Sequence, residues 1–397
     1  MRKRGGVRFD RAENFASRWA VALVSIFIAC APTLCLADGG AVAAENIGAP
    51  TGQGTNFVSR ADALVKQLVH NENVPGYAIA VIQSGTVIFK NGYGLTDLEK
   101  PTPVDSQTVF GLASVTKTFT ALALLLLVDQ GKIQLDDPLK KYLSNLAPAW
   151  QALTIRQLAS MTAGIPKALP QETKWSDEFK LAQQEPLLFT PGSSYEYSNL
   201  SYRTLGSVME AVTGKSYLDI VQELIAKPLG LNSTGTQLNV PASQLASPYV
   251  PTAAGTARKL PPYRDPAIPY SAGMLFSNLD DMITYVQALM DHKLLSPAGY
   301  QTMWHERPPL TTGQSSNWAF GWGLAPGTDY GNRPTVSMNG SIPGISACVI
   351  IFPKERTAFI SLANLRKKSV FKIVKQVARL YWGSNAATSD SSEPGVE

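Results

Sequence analysis

The sequence predicts an α/β protein: an antiparallel sheet flanked by helices, with a mostly helical subdomain inserted into it. Strand-like patterning is concentrated near the two ends, at Tyr77 to Phe89 and at Cys348 to Leu362, so the sheet draws on both ends of the chain. Between them, residues 138–267 alternate short helical patches with Pro- and Gly-rich loops and show no clear period-two alternation. A composition of 45% hydrophobic and 16% charged residues suits a folded chain with a sizeable core. No self-similarity of the kind that marks repeat proteins is present.

In chain order, residues 1–37 read as a secretory signal. Arg2, Lys3, Arg4, Arg8, Arg11 and Arg18 precede the apolar run Trp19 to Ile28, and small residues Cys35 and Ala37 stand three before and one before a possible cut. The run is shorter than the roughly 20 residues of a membrane-spanning helix. The alternative is an uncleaved N-terminal anchor. Phe27 is a poor lead residue for a lipoprotein box ending at Cys30. Those six basic residues, against Asp10 and Glu13, carry four of the five net positive charges. The remaining chain is nearly balanced, which removes the electrostatic case for nucleic acid or an anionic membrane. With the signal gone only Cys348 is left, so no internal disulfide is expected. Its apolar setting reads as that of a small buried hydrophobe. His70, His292 and His305 have no metal-ligand spacing.

Residues 38–56 read as a linker. Phe57, Ala61, Leu64 and Leu68 give residues 57–70 helical periodicity, and Tyr77–Ile82 and Val87–Phe89 flank Ser84-Gly85-Thr86 as a hairpin. Residues 115–130 form a strongly apolar helix closed by Gly131. Helical patches follow at 154–161, 200–213 and 216–228. Late in the chain the turn Pro353–Arg356 joins two strands. A last helix, about 367–382, carries Val370, Phe371, Val374, Val377, Ala378 and Tyr381 on one stripe. Residues 384–397 have the composition of a disordered tail. Residues 57–137 and 268–383 thus form a discontinuous α/β part and residues 138–267 a helical one, with the site expected in a cleft between them.

Three short strings carry chemistry. Ser114-Val115-Thr116-Lys117 opens the apolar helix just after strand-like Val109-Phe110-Gly111, and the spacing of three puts Ser114 and Lys117 on one helical face. A serine hydroxyl needs a base within hydrogen-bond reach, and a desolvated lysine serves. The helix N-terminus adds N–H donors and a positive dipole end for a developing oxyanion. Taken alone, the string also fits an N-capping serine and a solvated lysine. The second string is Tyr197-Ser198-Asn199: a tyrosine for general acid–base work where a nearby cation lowers its pKa, and an asparagine to hold a substrate amide and the lysine. A turn tyrosine and a capping Ser/Asn are the plainer reading of it. Tyr330-Gly331-Asn332 repeats the pattern in a Gly/Pro-rich setting that reads as a loop before a strand. The third is Met338-Asn339-Gly340-Ser341, where a glycine lets a substrate approach the backbone, or else marks an ordinary bulge.

In this order the motifs resemble the serine β-lactamase and penicillin-binding protein superfamily, and most of all class C β-lactamases and their esterase and D-peptidase relatives. Val74-Pro75-Gly76, Phe110 to Phe119, Ile155 to Pro166, Pro191-Gly192 and Leu362-Ala363-Asn364 share in the likeness, which spans roughly residues 57–382. The resemblance implies a β-lactamase-like fold and an acyl-enzyme on Ser114, with Lys117 and Tyr197 shuttling protons. It implies substrate contacts from Asn199, Asn339, Gly340, Ser341 and Asn364, and an oxyanion hole from the N–H groups of Ser114 and Ser341. It implies no metal or organic cofactor. Met338 departs from the pattern, since relatives carry Lys or His there. This weakens the case for efficient β-lactam hydrolysis, unless Arg366, Lys367 or Lys368 supplies the missing charge. The expected activity is that of an exported (periplasmic or secreted), monomeric β-lactamase acting on a small β-lactam amide. The alternatives are an esterase, transacylase or D-amino-acid peptidase on the same scaffold, or a non-catalytic penicillin- or peptidoglycan-binding sensor.

Overall fold

A computed structural model describes residues 54–383, apart from 168–173, 262, 264, 312 and 314. The predicted signal, most of the linker and the predicted tail lie outside the described residues. Helix α1 (Gly54–Asn71) begins inside the predicted linker and leads into the hairpin β1 (Gly76–Gln83) and β2 (Thr86–Gly94). A short β3 (Phe110–Gly111) and a 3-10 turn, Ala113–Val115, then open α2 (Thr116–Asp129). The middle holds α3 (Pro148–Gln151), α4 (Ile155–Ala159), α5 (Trp175–Ala182), α6 (Asn199–Thr213) and α7 (Tyr217–Val221). From α7 a π-helical stretch, Gln222–Ala226, continues into α8 (Lys227–Leu229). A small hairpin, β4 (Tyr249–Pro251) and β5 (Ala257–Lys259), and β6 (Phe276–Ser277) come next. The chain ends in α9 (Leu279–Met290), α10 (Pro297–His305), β7 (Gly323–Ala325), β8 (Thr335–Ile342), β9 (Ile345–Phe352), β10 (Thr357–Ala363) and α11 (Lys368–Trp382).

Six of these strands form one antiparallel sheet in the order β2-β1-β10-β9-β8-β7. The seam that joins the two ends of the chain pairs β1 with β10, Ile79 opposite Ser361. Strand alternation sends Ala78, Ala80 and Ile82 to one face and Tyr77, Ile79 and Val81 to the other. The first set joins the core shared with α2 and α9; the second joins the core under α1 and α11. Burial on both faces explains why β1, β9 and β10 read as continuous apolar runs rather than alternating ones. The stripe predicted for the last helix is present: Val370, Val374, Val377 and Ala378 are buried, and Tyr381 meets Phe57 of α1 edge-on at 5.3 Å.

Several elements departed from expectation. The hairpin β4–β5 lies in the stretch read as lacking strands, because three-residue strands are too short to show a period. Helices α9 and α10 were not anticipated. Nor was the full length of β8, whose face residues Val336, Met338, Gly340 and Ile342 include a glycine that breaks the apolar pattern.

Candidate active site

The turn before α2 is the best-defined part of the site. Ala113 is buried with φ of +45°, a conformation that costs an alanine energy and persists only where the surroundings impose it. They do: Leu112 N–H donates to Leu275 O at 2.8 Å, Leu275 N–H to Thr116 Oγ1 at 3.1 Å, and β3 pairs with β6. The kink lifts Ser114, which stays partly exposed while its neighbours Ala113 and Val115 are buried.

One turn on, Lys117 is 0% exposed. Its Nζ donates to Asn199 Oδ1 at 2.8 Å and Ala272 O at 2.9 Å and lies 3.1 Å from Ser114 Oγ. It also lies 5.0 Å from the ring centre of Tyr197 and 5.9 Å from that of Tyr202. Burial, and secondarily the charge of Arg203, hold this amine well below the usual lysine range. A neutral amine beside a serine hydroxyl is a base.

Tyr197 comes from the other side and donates its O–H to Ser114 Oγ at 2.9 Å. Here the expectation of a phenol made acidic by a cation fails. Tyr197 is 7% exposed, and burial pushes its phenol up despite the bond to Ser114. With the amine held low and the phenol held high, Lys117 is suited to accept a proton and Tyr197 to donate one.

The placement of the tyrosine follows from its neighbour. Ser198 is the N-cap of α6: its Oγ accepts from Ser201 N–H at 3.1 Å and donates to Pro166 O at 2.8 Å. The capping residue is extended, so the chain turns there, sending Tyr197 and the first helical residue, Asn199, toward the same lysine. The plainer reading of this string, a capping serine, is therefore correct for Ser198 and compatible with the chemical one for its neighbours. Tyr330, in contrast, is buried away from this group and packs edge-on against Phe352 at 5.1 Å, in a turn before β8.

Strand β8 closes the site. A Cβ built on Gly340 would lie 2.0 Å from Leu112 O and 3.1 Å from Ser114 N, so only glycine lets this strand lie against the serine turn. Alternation turns Met338 to the same face as Gly340 and the side chains of Asn339 and Ser341 to the opposite one. Those two residues offer the serine turn their backbone rather than their side chains. Met338 is 4% exposed and belongs to the apolar core that also contains Tyr197. Asn364 needs a correction. It is 0% exposed, and its amide donates to Leu95 O at 3.4 Å and Thr96 O at 3.2 Å, so it braces the loop after β2 and is out of reach of a substrate. Of the bases after it, Lys367 is paired with Glu72 at 2.7 Å, while Arg366 and Lys368 are exposed.

The sequence did not reveal four further participants. The carbonyl of Ala272 leaves no side-chain signal. Tyr202 follows Asn199 by three on α6, a spacing that was open to inspection. Trp318 stands edge-on to both Tyr197 and Tyr202, and its indole N–H and the Tyr202 hydroxyl converge on Ala159 O at 3.2 and 2.9 Å. Arg203 acts through its charge. Among the described residues no cluster of His, Cys, Asp and Glu suited to a metal is present, and no helix is long and apolar enough to cross a membrane.

The sheet, its flanking helices and a serine–lysine–tyrosine group at the start of a buried helix define a penicillin-recognising type of architecture. The profile of the family described as Beta-lactamase matches residues 61–380, and the chain belongs to that family. It is 26% identical over 333 residues to Protein flp of Staphylococcus aureus (strain MW2), covering 80% of this chain and 65% of the relative. The chain thus spans just under two thirds of the length of that curated relative. Among solved structures, the D-amino acid amidase of Ochrobactrum anthropi SV3 has a TM-score of 0.73 at 22% identity, covering 84% of this chain and all of the other. EstCE1, described as a hydrolase with promiscuous acyltransferase activity, has a TM-score of 0.71 at 23% identity and covers 83% of this chain and all of its own. At these identities the two structures establish the shared fold.

Proposed function

We propose that this protein is an exported, monomeric serine hydrolase that passes through an acyl-enzyme on Ser114. One observation carries the reading: Ser114 Oγ lies 3.1 Å from a buried lysine amine and 2.9 Å from a buried tyrosine hydroxyl. Lys117 takes the Ser114 proton as Oγ attacks a carbonyl. The oxyanion is received by the N–H groups of Ser114 and Ser341, which Gly340 allows to lie close together. Each such donor contributes about 2.7–4 kcal/mol to lowering a barrier. Tyr197 protonates the leaving group, and the phenolate it leaves recovers the proton that Lys117 took from Ser114. Water then enters by the same route in reverse, and Asn199 holds both lysine and acyl amide. The basic, apolar, small-residue order of residues 1–37 supports export.

The family supports a β-lactam amide as substrate. A second reading, an ester or a D-amino-acid amide or peptide, is favoured by the buried apolar Met338, which offers no charge to a substrate carboxylate. The similar fold of a D-amino acid amidase and of an acyl-transferring hydrolase supports it as well. The test uses the protein from Asp38 onward, with a chromogenic cephalosporin, a p-nitrophenyl ester and a D-amino-acid amide, each beside Ser114→Ala and followed by intact-mass spectra. Cephalosporin turnover lost in Ser114→Ala would establish a β-lactamase. Ester or amide turnover alone would establish the second reading. A stable adduct without turnover would identify a penicillin-binding sensor. Neither turnover nor adduct on Ser114 would refute the acyl-enzyme reading for these substrates.

A further inference from the structure

Arg203 lies one turn after Asn199 on α6, and residues four apart share a helical face. Asn199 holds the amine of Lys117 at 2.8 Å, so Arg203 follows the lysine's partner by one turn. Its side chain is 12% exposed and paired with the carboxylate of Glu178 on α5, itself 3% exposed. The buried Nε of Arg203 makes no hydrogen bond to any described residue.

A buried ion pair is a weak way to hold two helices together. Removing both charges from water costs several kcal/mol, and apolar residues of similar volume often serve as well or better. The location of this pair suggests a different use. The groups facing Lys117 are Ser114 from the turn before α2, Tyr197 from the loop before α6, and Tyr202 and Arg203 from α6 itself. The turn Tyr270–Ala272 adds the accepting carbonyl of Ala272. No carboxylate among the described residues pairs with the lysine. Among the described residues, Arg203 supplies a charge whose field bears on it, in the same direction as burial.

We propose that Arg203, buried and fixed by Glu178, is a positioning residue for the base: a permanent positive charge one turn behind Asn199 that keeps Lys117 in its uncharged, proton-accepting form. An arginine suits this because it does not lose its proton at working pH, whereas a second lysine in the same setting would titrate itself. Glu178 sets how much of the field reaches the amine. The inference rests on the acyl-enzyme reading, in which Lys117 is the base.

The test is the acidic limb of the pH profile of kcat/KM, which reports the free enzyme's base. It is measured for wild type, Arg203→Met, Arg203→Lys and Glu178→Gln, with thermal melts confirming folding. Arg203→Met moves the limb to higher pH by about 0.5–1 unit, the order of one through-space charge interaction at an effective dielectric of about 20 or more. Arg203→Lys moves it the same way but by less, because the new lysine gives up its own proton over part of the range. Glu178→Gln, which leaves the guanidinium uncompensated, moves it to lower pH. Opposite signs for the two neutralising variants are the signature, because a merely structural pair would shift both alike or neither, and either of those results overturns the proposal. Should Arg203→Met not fold, an unmoved limb in Glu178→Gln overturns it alone. Titration of Lys117 by NMR in lysine-labelled protein, assigned with Lys117→Met, reads the same shifts without turnover. Failure of the acyl-enzyme reading and failure of this inference are thus separable.

Discussion

Gly340→Ala is the most informative single change to the serine turn. The methyl carbon it introduces would lie 2.0 Å from Leu112 O, a backbone atom of the turn that presents Ser114. Carbon–oxygen contacts of this type settle at about 3.3–3.6 Å, so β8 or the turn has to yield by roughly 1 Å. Neither yields cheaply. Strand β8 is fixed by its register with β9, Gly340 opposite Ala347, and the turn by its bond from Leu112 to Leu275. Overpacking of this kind costs about 1–3 kcal/mol of stability. A displacement of about 1 Å between nucleophile and oxyanion donors lowers turnover about 100-fold. The assay is kcat/KM on whichever substrate the wild type turns over, beside a melting curve. A folded variant whose kcat/KM stays within about threefold of wild type, about 0.7 kcal/mol of barrier, would show that β8 does not form the second wall of the site.

Other expectations follow from the same geometry. Lys117 has its folded pKa held low by burial and then by Arg203, so between that value and the unfolded one, near 10.4, the unfolded chain binds the extra proton. This component of stability therefore rises with pH across the window, by up to about 1.4 kcal/mol per unit, and is lost as pH falls. Lys117→Met abolishes turnover and flattens the pH dependence of melting by that amount; identical slopes would mean that the folded lysine is charged. Met338→Lys places an ammonium on the face shared with Gly340. It raises the ratio of cephalosporin to neutral-ester turnover by about tenfold or more, at a stability cost of several kcal/mol for burying the charge; an unchanged ratio in paired assays would show that this face is not where substrate charge is read. Ser198→Ala removes the cap of α6 and costs about 1 kcal/mol in a denaturant titration. Its kcat falls as well, because the cap aims Tyr197 and Asn199; an unchanged kcat would separate the cap from the site.

What could be read from the chain and what could not divide along physical lines. The two-ended sheet was legible because apolar runs such as Tyr77–Ile82 and Cys348–Phe352 have a single use, burial on both faces. Ser114 and Lys117 were legible because a helix fixes the geometry of residues three apart. Tyr197 and Asn199 were legible only through the resemblance, since nothing local distinguishes an aimed tyrosine from one in a turn. Asn364 was misplaced because sequence adjacency to a strand end does not say which way a side chain turns; its amide goes to Leu95 and Thr96. The lysine's carbonyl partner, the Trp318 wall and the Arg203–Glu178 pair were not readable, because each depends on segments 25 to 155 residues apart meeting in space.

The seam between β1 and β10 has a consequence for the life of the chain. Residues near 80 wait for residues near 360 before the sheet is continuous. Until then the first hairpin presents an apolar, unpaired edge, the kind of surface on which chains associate. Closure of so long a loop is slow relative to local helix formation. A product ending before Thr357 lacks both the central partner of β1 and the cover that β10 gives β9, although it still contains Ser114, Lys117 and Tyr197. Possession of the three reacting side chains is therefore not possession of the site. A nick in the helical middle, in contrast, leaves two pieces with matching edges, β1 on one and β10 on the other, and these are the pieces from which a split and reassembled form of this protein would be made.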